Sequence, residues 1–347
     1  MTKKPKVVVV SALGANGMFG GLERYVEQLK KAAKENFESN VAFIDFCFDE
    51  RYLYEGVHDP ALSVRLAEAD VIHANDFMAA WVCSMNAPDK PLVTAFHLLH
   101  QHFSYRSMGV HQARIQAAER IAIAKSTILV ANSRATEIDL INAGADPDKI
   151  QVVMNGVASE FFEVTRPSPG SSLRLLFAGR LVEQKGADLL PELMDTLNAG
   201  NIDCSLEIAG TGPWKENIEE RCAKYPDMCT FLGQVPAEQM RHVYARNDIT
   251  LSMTRYEPFG LFALESIAAG TPVVGSILGG MKEFCSSTQN AFPVKDPHLV
   301  RGINELLQLL WQKEQVLPSA EMLRNSVASI TWEQTVAGLD AVYLRAA

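Results

Sequence analysis

Short apolar runs alternate with amphipathic, helix-length periods along almost the whole of this 347-residue chain. That rhythm constrains the fold more than any single motif. Brief runs apolar on both faces, separated by helical periods, are the pattern of parallel βαβ units. In the first half the strand runs fall at residues 6–12, 41–48, 70–73, 91–96, 127–131 and 151–154. A second series occupies 173–178, 205–209, 230–232, 249–253 and 272–274. Between them, 163–172 carries two prolines, a glycine and three serines, a linker by composition. Two doubly wound α/β domains follow, spanning 1–165 and 166–330. Ligands of open α/β sheets bind beyond the carboxyl ends of the strands, so a cleft between the domains is the expected site. The tail after Pro318 reads as two helices, with Ser329 or Thr331 capping the last.

Composition narrows the setting. The chain is 48% hydrophobic and 21% charged, as an ordinary soluble globular protein is. No apolar run approaches the roughly 20 residues of a membrane span. The lysines and four valines near the start imitate a signal peptide, but the run ends at Gly14, Asn16 and Gly17 and reads better as a first buried strand. Six cysteines at 47, 83, 204, 222, 229 and 285 include no C-x-x-C pair, which implies reduced, buried thiols in a cytoplasmic protein. A net charge of −9 argues against a nucleic-acid partner.

The motifs with chemical content sit at strand ends. Glu257-Pro-Phe-Gly-Leu-Phe-Ala-Leu-Glu265 brackets a turn that opens a helix, with Leu261, Leu264 and Ala268 as its apolar stripe. The backbone N–H groups of Phe259, Gly260 and Leu261 would form an anion cradle at the helix start. Two flanking acceptors suit a sugar on a diphosphate; two solvated glutamates are the plain alternative. Arg180 and Lys185, five residues apart after the strand at 173–178, could converge on a phosphate. Gly20 and Gly21 open another helix, and Gly210-Thr-Gly212-Pro ends another strand, where a plain turn is nearly as good a reading as a ligand loop. His97 follows the strand at 91–96, and His100, His102 and His111 read as structural. Asp146-Pro-Asp148 precedes a strand and looks like turn chemistry, so no metal site is indicated.

Taken together and in order, these residues resemble the retaining glycosyltransferases of family four, which have the GT-B fold of two Rossmann-like domains facing across a cleft. Gly20-Gly21-Leu-Glu-Arg resembles that family's glycine loop, and Asn155-Gly-Val157 the segment closing its first domain. Arg180 and Lys185 fall on its diphosphate-binding pair, Glu257 and Glu265 on its Glu-x7-Glu motif, and Gly279-Gly280 on the glycine pair behind it. The resemblance implies transfer of a hexose-type sugar from a nucleotide donor, a UDP-sugar first, with retention of anomeric configuration and no metal cofactor. Arg180, Lys185 and the amides of Phe259, Gly260 and Leu261 would stabilise the departing diphosphate. Glu265 would hold the ribose and Glu257 and His97 the sugar, with Val235 at the base and Gly20, Gly21, Gly210 and Gly212 around the donor. It also implies that 331–347 is a helix returning to the first domain.

The acceptor is left open. Arg106, Arg114, Arg120, Lys125 and Arg134 stand against Glu119, a local +4 with Phe103 and Tyr105 nearby. That admits an anionic acceptor, weak peripheral contact with anionic lipid, or simply a solvated helix. Nucleotide-sugar 2-epimerisation and a non-catalytic binding partner are the rival readings.

Overall fold

The computed structural model describes residues 4–13, 21–37, 39–47, 58–100, 110–168, 170–200, 202–286, 289–295, 298–312 and 316–347. The chain forms two compact units, Met1–Gly156 with Ile330–Ala347, and Val157–Ser329.

In the first unit six strands run parallel: β1 (Lys6–Leu13), β2 (Asn40–Cys47), β3 (Val71–Ala74), β4 (Leu92–Phe96), β5 (Ile128–Ala131) and β6 (Ile150–Val152). Their order is β2-β1-β3-β4-β5-β6. β3, β4 and β5 are buried throughout, which is why they read as apolar runs broken only by His73 and Thr94. β1 lies inside the sheet with Val7, Val8, Val9 and Val10 buried, as a core strand. The sequential direction reverses between β1 and β3.

The second unit repeats the plan with β7 (Leu173–Ala178), β8 (Cys204–Ala209), β9 (Cys229–Gly233), β10 (Ile249–Ser252), β11 (Val273–Gly275) and β12 (Ala291–Pro293). All are parallel, in the order β12-β11-β10-β7-β8-β9, so the reversal lies between β7 and β10. β12 is absent from the sequence-based expectation. It has three residues, ends in Pro293 and occupies a sheet edge, where a missing N–H is tolerated and no periodicity can develop.

The first unit boundary differs from the expected 165/166. Residues 157–166 pack on the second unit. Phe161 lies 6.2 Å from the Tyr244 ring, and Arg166 donates to the Thr271 hydroxyl and, at 3.0 Å, to the Asn247 carbonyl. Composition sees prolines and serines but not these anchors. The chain instead changes units at Gly156, whose added Cβ would strike the backbone of Thr331 and Trp332. The helix Ala320–Val327 is capped by Ser319, and Trp332–Ala346 by Thr331. The latter packs on the first unit, where the Thr335 hydroxyl donates to the Met154 carbonyl at 2.8 Å.

Cys83, Cys204, Cys222 and Cys229 are buried and unbridged, and burial raises the Cys204 thiol to about 11. The Cys47 side chain lies outside the described residues. Among the described residues no helix is long and apolar enough to cross a membrane.

Candidate active site

At the reversal point of the second sheet, the loop after β7 meets the loop after β10. A single 3-10 turn, Glu183–Lys185, ends at Gly186 with φ +75°, where a Cβ would collide with the Met253 carbonyl. This turn directs the Lys185 ammonium onto the Glu257 carboxylate; the side chains are 18% and 7% exposed. Lys185 Nζ also lies 5.8 Å from the Phe262 ring centroid. The loops are tied by further bonds. Gln184 Nε2 donates to the Tyr256 carbonyl at 3.1 Å, the Thr254 hydroxyl donates to the Gln184 carbonyl at 3.1 Å, and Arg255 forks onto Asp188 at 2.6 and 2.7 Å. Arg180 is exposed and donates to Gln184 Oε1 at 3.3 Å. Arg180 and Lys185 thus take separate partners instead of one shared point. Two like charges gain nothing by approaching, whereas a carboxylate on the adjoining loop offers Lys185 an ion pair.

Glu257 leads through Pro258 and Phe259 to Gly260, at φ +97°, which starts the helix Leu261–Ala268 without a side-chain cap. The first N–H groups of a helix have no carbonyl one turn back, so they are the donors an anion can take. The Glu257 loop rests on Gly279 and Gly280. A Cβ on Gly279 would lie far inside 3.0 Å of the Glu257 carbonyl oxygen. Gly280 N–H donates to the carbonyls of Glu257 and Pro258 at 3.2 and 3.1 Å. From Ala263 to Ala268 the helix is buried on every face, with Leu261 only half-buried, so the expected single stripe understates its burial. Glu265 is 3% exposed and accepts from the Tyr244 hydroxyl at 3.3 Å, which removes the solvated-glutamate reading.

Gly210 and Gly212 answer first to their neighbours. A Cβ on either would strike the carbonyl of Gly179 or Leu181, respectively. The loops continue the sheet's bonding, with Gly179 N–H to Ala209, Leu181 N–H to Thr211 and Gly210 N–H to Gly233 at 2.7–3.0 Å. Chain-on-chain packing accounts for both glycines without a ligand. Val235 is half-buried in the turn before the helix Ala237–Arg246.

In the first unit His97 follows β4. Its Nε2 has no partner among the described residues, and its bond to the Asn75 backbone raises its pKa, as a bond to a carbonyl does. Nε2 is thus a ring nitrogen left open to a ligand. Burial holds this imidazole at about 4, hence neutral near pH 7. Its ring lies 4.4 Å from that of Tyr25. Asn75 is fully buried; its amide donates to the Ser11 hydroxyl at 2.9 Å, and its Oδ1 has no partner among the described residues. Asp76 caps the helix Phe77–Asn86, and burial raises its carboxyl to about 7 against the backbone N–H bonds that lower it. Asn75 and Asp76 directly follow β3, and Gln184 and Tyr244 hold the glutamate site. None of the four was singled out from sequence, although strand-end position was the available signal for the first two.

Gly21 opens the helix Gly21–Asn36, while Gly20, His102, Phe103, Tyr105 and Arg106 lie outside the described residues, as does the His111 side chain. His100 is structural, bonded to Glu119 at 2.8 Å and 5.2 Å from the Phe77 ring. Arg134 pairs with Glu137 at 2.8 Å, reducing the basic excess of that stretch. Asp146 accepts from the Asp148 N–H at 3.0 Å and caps a 3-10 turn, which is turn chemistry.

Comparison with known proteins bears on the family and the fold. The family described as Glycosyltransferase Family 4 matches residues 19–161, and that described as Glycosyl transferases group 1 matches 160–321. An uncharacterized glycosyltransferase of Methanocaldococcus jannaschii is 27% identical over 277 residues, covering 73% of this chain and 70% of its own. Glycogen synthase of Mycobacterium tuberculosis is 30% identical over 62% of this chain, which spans 53% of that relative's length. Among solved structures, Anabaena HepE in complex with UDP and glucose has a TM-score of 0.75 at 19% identity, covering 98% of this chain and 99% of its own. Sucrose-phosphate synthase of Thermosynechococcus elongatus has a TM-score of 0.77 at 18% identity, with 98% of each chain covered. At such identities the likeness carries the fold, which is GT-B. The chain belongs to the group 1 glycosyltransferases.

Proposed function

We propose that this chain is a retaining glycosyltransferase that moves a hexose-type sugar from a UDP-sugar to a hydroxyl acceptor, a small molecule or a glycan. The observation that carries the reading is the Lys185–Glu257 pair, beside an uncapped helix start and one turn from the buried Glu265. The helix amides, Lys185 and Arg180 take the diphosphate, whose negative charge grows as the glycosidic bond breaks. Glu265 receives the ribose hydroxyls and Glu257 those of the sugar. His97 Nε2 accepts from a ligand hydroxyl, a role suited to a neutral imidazole. Glu257 and Glu265 stand on one loop-helix element and already have partners, which favours donor binding over a paired acid and base. UDP is preferred as the nucleotide because the structurally similar HepE was solved with UDP and with UDP-glucose. Fixed cations carry the leaving-group charge, so transfer needs no divalent ion.

A thermal-shift panel of UDP-, GDP-, ADP- and dTDP-sugars in EDTA tests this. A ligand at about 100 times its Kd adds about 2.7 kcal/mol to the folded state, so UDP-sugars should raise Tm most. A panel in which no nucleotide sugar shifts Tm, or in which UDP-sugars shift it only after Mg²⁺ or Mn²⁺ is added, contradicts the reading.

A further inference from the structure

The geometry points to the Lys185–Glu257 pair as a device that distinguishes the intact nucleotide sugar from the spent nucleoside diphosphate and helps expel the latter. This rests on the donor reading given above. The two side chains, 18% and 7% exposed, satisfy one another's charge. The Phe262 ring, 5.8 Å from Lys185 Nζ, belongs to the first turn of the helix that starts at Gly260, so the ammonium that pairs with Glu257 lies beside that first turn. The loops are held by Gln184 on the Tyr256 carbonyl and by Arg255 on Asp188, which confines a change of partner to the two side chains.

The two ligands then meet different costs. A diphosphate at the helix start attracts Lys185 and is repelled by the Glu257 carboxylate. If Lys185 turns to the phosphate, Glu257 is left as a buried, uncompensated charge, which is strongly unfavourable. An intact donor removes that penalty, because sugar hydroxyls donate to Glu257 as the ammonium departs. After transfer those hydroxyls leave with the sugar. Glu257 retakes Lys185, and the diphosphate loses a cation and regains a repelling neighbour. Product release is thereby coupled to completion of transfer.

Calorimetric titration of the whole chain with UDP and with UDP-glucose tests this, using wild type, Glu257→Gln and the Lys185→Gln/Glu257→Gln double variant. Glu257→Gln is expected to bind UDP at least tenfold more tightly than wild type and UDP-glucose more weakly. The gain for UDP should vanish in the double variant, since it needs a free Lys185. Glu257→Ala should show the same gain, and melting curves establish that each variant is folded. UDP affinity unchanged or reduced in both folded Glu257 variants would make Glu257 a plain sugar contact and overturn the inference, while the donor reading stands. A wild type that binds neither UDP, GDP, ADP and dTDP nor their glucose conjugates overturns both.

Discussion

Replacing Gly279 by alanine should unseat the loop that carries Glu257. Gly279 has φ +54°, and its added Cβ would lie far inside 3.0 Å of the Glu257 carbonyl oxygen. A left-handed alanine costs about 1–2 kcal/mol. The contact is with backbone, which no rotamer change can clear, so overpacking adds about 1–3 kcal/mol. The hydrogen bond from Gly280 N–H to the Glu257 carbonyl, 3.2 Å long, is strained by the same shift. Gly233 supplies the control within the same unit. It has φ +65°, but its Cβ would meet only Phe231 Cε1, at 3.8 Å. Gly233→Ala should therefore cost the left-handed strain alone. At about 3 °C per kcal/mol for a domain of this size, calorimetry should find the second unit's Tm lowered by about 10 °C in Gly279→Ala and about 4 °C in Gly233→Ala. Nucleotide-sugar affinity should also fall in Gly279→Ala, because Glu257 moves. Equal Tm losses in the two variants, or an unchanged Kd for UDP-glucose in Gly279→Ala, would refute the claim that this glycine supports the site.

Glu265→Gln preserves shape and the Tyr244 contact but removes a charge-assisted bond worth about 1.5–3 kcal/mol; donor Kd should rise about 10- to 100-fold with Tm held, and an unchanged Kd sinks the ribose assignment. Arg180→Ala should lower kcat with little change in Tm, since its side chain is exposed, whereas Lys185→Ala should lower both, since Glu257 loses its partner; equal Tm for the two variants contradicts the ion-pair account. His73 and His97, depressed to about 3 and about 4 by burial, should show no ring titration by NMR between pH 8 and about 5, and a midpoint near 6.5 for His97 would contradict its neutral acceptor role. The stability that these imidazoles give is complete above pH 6.5 and is lost as pH falls through 4 and then 3, while Asp76, raised to about 7, works oppositely between 7 and 3.8.

How much was legible follows from what each signal measures. Two-sided burial leaves a mark in sequence, so inner strands such as β3, β4, β5 and β10 stand out as apolar runs, whereas β12, three residues long and ending in Pro293 at a sheet edge, leaves none. Glu257, Gly260 and Glu265 were recoverable because one turn and one helix fix their spacing. The meeting of Lys185 with Glu257 was not, because it depends on β7 and β10 being neighbours at the sheet's reversal, a pairing across 72 residues. The unit boundary was misplaced for a related reason: Phe161 and Arg166 are anchored by Tyr244, Asn247 and Thr271, all distant in sequence. Gly210 and Gly212 were legible as special positions but not as positions set by the carbonyls of Gly179 and Leu181.

The most direct test of sugar transfer with retention uses water as the acceptor. UDP-α-glucose incubated with wild-type protein and EDTA is followed by proton NMR, faster than the released sugar mutarotates. The account predicts UDP and α-glucose appearing together, at a rate reduced by Arg180→Ala. β-Glucose as the first-formed anomer, a C2-inverted sugar in its place, or no release of UDP would contradict it.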